Sequence, residues 1–281
     1  MSVVERWPVT APGGPPAQRG VGAALAPVGA AFGYWWVRHR HGWRRGLAFG
    51  LLAPVLYLVV LGTVMGGYVD ERSSALARIG TDRYLAFIGP AVVVSSGMLV
   101  AMTDAGFPSY HAFQKSRSYL AMIATPLEVR DVVAGHLLWV AARVGSVSTV
   151  LVVVLAAMGG TSSPLAVAIV PVAVLIGVGF AAWISGIASM VRNDSGLLAI
   201  NRLGTTPMLL FGGVFYPVAL LPVALGAVAR LTPLWHGGEL ARALAAGRLE
   251  PVDGLHLAWL VATTVLGAVF AVDRYRARLV A

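Results

Sequence analysis

Long uncharged runs dominate the chain, and the polar positions fall between these runs instead of alternating with apolar ones. A helix needs about 20 mostly apolar residues to cross about 30 Å of hydrocarbon. Six stretches approach that requirement: 46–67, 84–103, 133–158, 165–191, 196–215 and 254–272. The 48 uncharged residues between Arg143 and Arg192 are too many for one crossing. Gly159, Gly160, Thr161, Ser162, Ser163 and Pro164 divide that run into two. The pattern predicts an all-α integral membrane fold with six transmembrane helices. Two further apolar pieces, Val218–Ala229 and Leu234–Ala246, are too short to cross. Runs of that length dip into a membrane and return, where protein or a water-filled cavity surrounds them. They predict a re-entrant helical hairpin that turns near Thr232–Pro233.

Composition agrees with this pattern. The 281 residues are 58% hydrophobic and 12% charged, about half the charge of a soluble domain. That balance excludes a soluble enzyme and a disordered protein. The chain contains no cysteine, which excludes disulfides, thiolate metal sites and cysteine nucleophiles.

The net charge of +9 lies mainly at the two ends. Residues 1–45 carry six Arg and one Glu, and residues 273–281 carry three Arg and one Asp. Every loop between predicted spans sums to zero, and the remaining two charges are Arg143 and Arg202. This is the positive-inside distribution, and it predicts that both termini are cytoplasmic. The stretches 104–132 and 192–195 then face the cytoplasm, and 68–83, 159–164 and 216–253 face outward. Thirteen Lys and Arg fall inside and six outside.

Residues 1–27, rich in Pro and Gly toward their start, are expected to be a disordered tail. They do not read as a signal peptide, because the basic cluster follows the apolar stretch. Val28–Arg45 interleaves Phe32, Tyr34, Trp35, Trp36 and Trp43 with Arg38, Arg40, Arg44 and Arg45. That mixture suits the headgroup layer and predicts an interfacial helix. The remaining residues, 28–281, form one transmembrane domain.

Catalytic motifs are missing. The one lysine, Lys115, follows Gln114, so the Gly-Lys pair of a phosphate-binding loop is not present. There is no H-E-x-x-H and no G-x-S-x-G. Gly177-Val-Gly179 lies inside the fourth predicted span and reads as helix packing. His39 and His41 are two residues apart, so they do not share a helix face, and they read as part of an interfacial cationic patch. His136, His236 and His256 fall near predicted membrane borders as interfacial histidines. No catalytic residue and no metal site emerges.

Charges within spans are costly and are functional candidates by default. Arg143 lies ten residues into the third predicted span, about 15 Å along its axis. Arg202 lies six residues into the fifth. A long side chain can also snorkel to the headgroups. That reading is preferred for Arg202, and for Arg143 both stand. Either could face a polar cavity, which makes Ser95, Ser96, Arg143, Asn201 and Arg202 a candidate translocation path. Asp104 and Asp194 sit at span ends without an evident partner in the sequence.

The stretch Phe113–Arg143 is the most informative. It reads as a short helix over Ser118–Ala124, a break at Thr125-Pro126, and a helix from about Leu127. Glu128 and Asp131 fall in the first turn of that second helix, where the dipole favours anions. Leu120, Met122 and Ile123 give the short helix an apolar face. It requires either a partner's groove or the underside of the bundle.

Three stretches together resemble the permease subunits of ABC type-2 exporters, in particular the nodulation-factor and daunorubicin-type drug exporter branch. They are SRSYLAMIATPLEVRDVVAGHLLW (116–139), LLFGGVFYPVALLP (209–222) and LTPLWHGGELARAL (231–244). The resemblance covers roughly residues 30–275. It implies that a coupling helix docks on a separate ATP-binding subunit through Arg117, Ser118, Tyr119, Ala121, Met122, Thr125, Pro126 and Leu127. It also implies an external gate hairpin carrying Tyr216, Pro217, Pro222, Pro233, Trp235, His236 and Glu239.

The implied assembly has two ATP-binding subunits, which hold ATP and magnesium, and two permease chains in the bilayer. They are identical or homologous. By this resemblance the chain is a transport subunit and not an enzyme by itself. Its cargo would be a hydrophobic or amphipathic drug, natural product or lipid-like molecule, with lipo-oligosaccharide or polysaccharide as the alternative. Such permeases often carry an acidic residue where this chain has His136, and no role is carried over to that position. Two rival classes fit less well. A lipid-modifying membrane enzyme would need convergent carboxylates or a Ser/His pair at one depth. An ion-driven carrier would need acidic residues within its spans.

Overall fold

The computed structural model describes residues 21–40, 42–67 and 83–280, and every regular element among them is helical. Ten α-helices follow in chain order. They are α1 (Val21–His39), α2 (Trp43–Val59), α3 (Tyr84–Gln114), α4 (Ser118–Ile123), α5 (Val129–Ala157), α6 (Ile169–Met190), α7 (Asp194–Phe211), α8 (Val223–Arg230), α9 (Pro233–Ala246) and α10 (Pro251–Leu279). A π-helical turn, Val60–Met65, extends α2, and short 3-10 turns at Pro164–Ala168 and Val218–Leu220 precede α6 and α8.

Local chemistry sets several of these boundaries. Glu128 and Asp131 form a reciprocal capping box at the start of α5, with the Glu128 N–H donating to Asp131 Oδ2 at 3.0 Å. Glu250 and Asp253 repeat that arrangement at the start of α10, and Pro251 takes the first helical position. Such boxes satisfy amide groups that the helix itself cannot. Thr232 caps α9 by accepting from the Trp235 N–H at 3.3 Å, again with proline at the first position. Gly247 ends α9 in the left-handed region at φ 70°.

α3 is the centre of the bundle. Its apolar residues run all round the helix, and 89% of its most apolar stretch is buried, against 22% for α10. A helix apolar on all sides belongs inside. α10 instead exposes Leu255, Leu257, Val261, Val265, Leu266 and Val269, a face suited to lipid. Small residues set the closest approach. A Cβ on Gly97 of α3 would lie 2.8 Å from the Ala173 carbonyl of α6, and one on Gly177 would lie 3.1 Å from the Gly97 carbonyl. The pair lets α3 and α6 meet backbone to backbone, which is the packing role expected of Gly177.

The two ends of the bundle are distinct. α4 connects the end of α3 to the start of α5. The α8–α9 hairpin packs beside the start of α3, where Arg242 of α9 reaches the Phe87 carbonyl. The hairpin turns at Leu231–Thr232, beside the predicted position.

Among the described residues four helices are long and apolar enough to cross a membrane: Tyr84–Gln114, Val129–Ala157, Pro164–Met190 and Pro251–Leu279. They contain the second, third, fourth and sixth predicted spans. The first predicted span corresponds to α2 and its π-helical turn, whose apolar part, Gly50–Val64, is shorter. The fifth corresponds to α7, which is not among the four.

Two expectations need correction. The interfacial helix does not run from 28 to 45. It begins at Val21 and ends at His39, and Gly42 (φ −111°, ψ 2°) precedes a separate α2. Residues 1–20 of the predicted tail, and His41, lie outside the described residues. The second concerns the stretch 104–132, expected to be a loop that turns helical after Pro108: α3 runs unbroken from the second span through Pro108 to Gln114. Arg143, fourteen residues from either end of α5, is bonded to Asp104 of α3.

Candidate functional site

Two constellations stand out, one at each end of the bundle. The first is built around α4. Arg117, the one non-glycine residue with positive φ (48°) among the described residues, turns the chain sharply out of α3. Tyr119 then points inward and is fully buried. Its hydroxyl lies 3.1 Å from His136 Nδ1 of α5, 3.3 Å from Ser109 Oγ of α3 and 3.3 Å from the Tyr275 hydroxyl of α10. Tyr275 also donates to Ser109 at 3.1 Å. Phe113 meets both tyrosines edge-on, at 4.8 and 4.7 Å. Trp35 of α1 stacks on the His136 ring at 4.0 Å and 12°. Gly135 lets α1 come this close, because a Cβ there would lie 2.5 Å from Ala31 and 2.8 Å from the Phe32 nitrogen.

Proline chemistry explains the orientation of His136. Pro108 has no N–H to give to the carbonyl four residues back, which belongs to Asp104. His136 Nε2 lies 3.0 Å from that carbonyl oxygen and donates to it. In the neutral imidazole Nδ1 is then an acceptor, ready for the Tyr119 hydroxyl. Burial pushes the Tyr119 phenol well above its ordinary pKa, so it remains a neutral donor. One residue of the short helix is thus hydrogen-bonded to three long ones.

This geometry corrects the expected docking surface. Tyr119 and Met122 are buried against the bundle and cannot touch a partner directly. Arg117, Leu120, Ala121, Ala124, Thr125 and Pro126 form the outward face, with Ser118 and Leu127 half-buried at its margins. Leu120, 43% exposed, is the large apolar residue on it. Nearby, Lys115 pairs with Asp194 at 3.2 Å, and Gln114 donates to the Val191 carbonyl at 3.0 Å. Hydrogen bonds from Tyr110 and Lys115 hold the Asp194 carboxyl below its ordinary pKa. Asp104 pairs with Arg143 at 3.0 Å. Both carboxylates that lacked an evident partner in the sequence therefore have one.

The second constellation is the hairpin. His236 of α9 and His256 of α10 meet Nδ1 to Nδ1 at 2.7 Å, and the His236 ring stacks on Trp259. Burial first, and the neighbouring His256 second, lower the His236 pKa to about 4. Trp235 packs edge-on against both histidines. Glu239 accepts from Arg242 at 2.9 Å. Tyr216, Pro217 and Pro233 are half-buried and Pro222 is exposed.

Arg242, which the sequence reading passed over, is the hub. Its guanidinium donates to the Phe87 carbonyl of α3 at 3.0 Å and to the Gly213 carbonyl, and it lies 4.1 Å from the Phe87 ring centre. Its signal in the sequence is a lone arginine amid Leu and Ala, three residues after a glutamate.

The candidate path residues do not form one cluster. Ser95 and Ser96 bond back to the carbonyls of Val92 and Val93 in their own helix. Ser96, Thr103, Asp104 and Arg143 line a cleft of about 280 Å³ between α2, α3 and α5. Asn201 and Arg202 lie apart on α7, where Leu197 is the one buried residue. Arg202 is exposed, and Asn201 accepts from Thr205 at 3.0 Å.

Known proteins match this architecture. The family model for the ABC-2 type transporter covers residues 32–245. Nodulation protein J of Rhizobium leguminosarum bv. viciae is 27% identical over 266 residues, covering 92% of this chain and 99% of that protein. The same protein of Neorhizobium galegae is 27% identical over 248 residues, covering 87% of this chain and 92% of its own length. That of Rhizobium leguminosarum bv. trifolii is 28% identical over 216 residues, covering 75% and 80% respectively. The family match runs from α1 into α9 and includes α4 and most of the hairpin, while Tyr275, His256 and Trp259 of α10 lie beyond it. With its apolar bundle, the short helix fastened beneath it and the hairpin opposite, the chain belongs to the ABC-2 type transporter family and is a membrane permease subunit of that family.

Proposed function

We propose that the chain is the transmembrane subunit of an ATP-driven exporter that moves a hydrophobic or amphipathic substrate out of the cytoplasm or inner leaflet. The observation that carries this reading is α4: its inner residue is fastened to α3, α5 and α10, and its outer face is left uncovered. A separate ATP-binding subunit, which holds ATP and magnesium, would dock on Arg117, Leu120, Ala121, Ala124, Thr125 and Pro126. Tyr119 would act from inside by passing the movement of α4 to the long helices. The basic termini support a cytoplasmic position for this end. In that orientation the chain crosses six times, with α2 and α7 as first and fifth spans, and residues 28–281 form one domain.

Two copies of the permease and two of the ATPase complete the assembly. α7 supports a path between the copies. It leaves Asn201, Arg202, Thr205 and Thr206 at least partly uncovered on an otherwise apolar helix, and polar groups facing bare lipid are costly. Arg143 and Ser96 would line the entry cleft. The hairpin, with Trp235 and His236, would part at the outer gate. A lipo-oligosaccharide cargo is the second reading, and the nodulation relatives favour it.

The test pairs two variants in the reconstituted permease–ATPase complex. Leu120→Asp is expected to abolish co-purification of the ATPase. Tyr119→Phe is expected to keep co-purification but lower the export obtained per ATP hydrolysed. Wild-type export in Leu120→Asp, or transport by the purified permease alone, would overturn the proposal.

A further inference from the structure

A second cleft, about 610 Å³, opens between α1 and α5 and is lined by Trp36, His39, Arg40, Trp139, Arg143 and Ser146, with Ala142 at its floor. Its size falls in the range of small-molecule sites, about 300–1,000 Å³. Two arginines and a histidine supply the polar side, and two indoles supply the apolar walls. Trp36 meets Trp139 edge-on at 6.1 Å, and His39 stacks on Trp139 at 4.8 Å. The indole nitrogen of Trp139 is buried, so the residue offers the cleft its ring.

The charges in this region favour an anion. Asp104 takes only the Nε of Arg143 among the described hydrogen bonds, which leaves the other guanidinium N–H groups for a second acceptor. Residues 38–45 carry four arginines and two histidines and no acid. The mixture of rings and charge favours a lipid: indole and guanidinium together match a headgroup and the upper part of its acyl chains.

We infer that this cleft is a binding site for the phosphate headgroup of an anionic phospholipid of the bilayer. Arg40 and Arg143 would hold the phosphate, and the rings of Trp36 and Trp139 would cover the first carbons of the acyl chains. The site is separate from the face of α4 and shares only Arg143 with the cleft beside α2, and lipid binding can be measured without transport.

Native mass spectrometry of the purified full chain tests this. The chain is titrated with phosphatidylglycerol and with phosphatidylcholine of the same acyl chains. One phosphatidylglycerol should bind about tenfold more tightly than phosphatidylcholine. Arg40→Gln should weaken that binding by about fivefold, the effect of one basic residue at an anionic headgroup. Arg40→Lys should retain most of it, because an exposed residue that acts by charge tolerates lysine. Arg230→Gln, at the opposite end of the molecule, should leave it unchanged. Equal binding of the two lipids would overturn the proposal, as would wild-type affinity in Arg40→Gln or equal losses in Arg40→Gln and Arg230→Gln. Glycerol phosphate without acyl chains binding as tightly as the lipid would exclude a lipid as the intended occupant.

Discussion

The Nε2 atom of His136 lies 3.0 Å from the main-chain oxygen of Asp104, the carbonyl that Pro108 leaves without a helical donor. This relationship predicts a non-additive pair. His136→Phe removes the donor to the Asp104 carbonyl and one of the three partners of the Tyr119 hydroxyl, and should cost about 2 kcal/mol. Pro108→Ala supplies the missing N–H within α3. In that background the cost of His136→Phe should fall by about 1 kcal/mol. Unfolding in mixed micelles for the four members of the cycle measures the coupling. Strict additivity would show that the imidazole does not replace the proline's missing amide.

The Asp104–Arg143 pair is largely buried, with side chains 14% and 12% exposed. Removing one partner strands the other charge, at a cost of about 3 kcal/mol. Asp104→Asn should therefore lower the unfolding midpoint more than the double variant Asp104→Asn/Arg143→Gln. A double variant worse than the single one would mean that the charges act independently.

Arg242 binds two carbonyls and a carboxylate and lies over the Phe87 ring. Its planar fork makes bonds that a single ammonium cannot reproduce. Arg242→Ala should cost about 3 kcal/mol or more, since it unpairs buried acceptors. Arg242→Lys should recover less than half of the loss. Limited proteolysis at the 213–222 bend offers a local readout, with faster cleavage expected in both variants.

The His236–His256 contact makes the hairpin acid-sensitive. The folded-state pKa of His236 lies near 4, below its ordinary 6.5. Between these values the unfolded chain binds a proton that the folded one does not, so stability falls as pH drops from 6.5 toward 4. Unfolding midpoints measured across that window should decline with acid. His236→Gln should flatten the slope that this residue contributes, and an unchanged slope would refute the assignment.

Much of this architecture was legible in the hydropathy pattern, because apolar run length and helix-starting residues are local properties. The helix start near Glu128 and Asp131, the Thr232–Pro233 turn and the short helix at 118 could all be read directly. Helix continuity past Thr103 could not, because charge at Asp104 and a proline at 108 are the usual marks of an end. Here Arg143 neutralises the first and His136 compensates for the second, and both lie on another helix. The inward turn of Tyr119 was hidden for the same reason: its partners Ser109, His136 and Tyr275 are scattered over more than 160 positions of the chain. Arg242 was overlooked because the carbonyls it binds carry no side-chain signature.

The close meeting of Gly97 with α6 divides α3 unequally. About 26 Å of helix lies between that contact and Gln114, and about 20 Å between it and Tyr84. If the glycine contact serves as a fulcrum, α3 is a lever with its longer arm toward α4. A push through Tyr119 on Ser109, about 18 Å from the contact, would then swing Phe87, about 15 Å beyond it, the opposite way by roughly four-fifths as much. One rod would thereby carry a sideways nudge at one surface to the other.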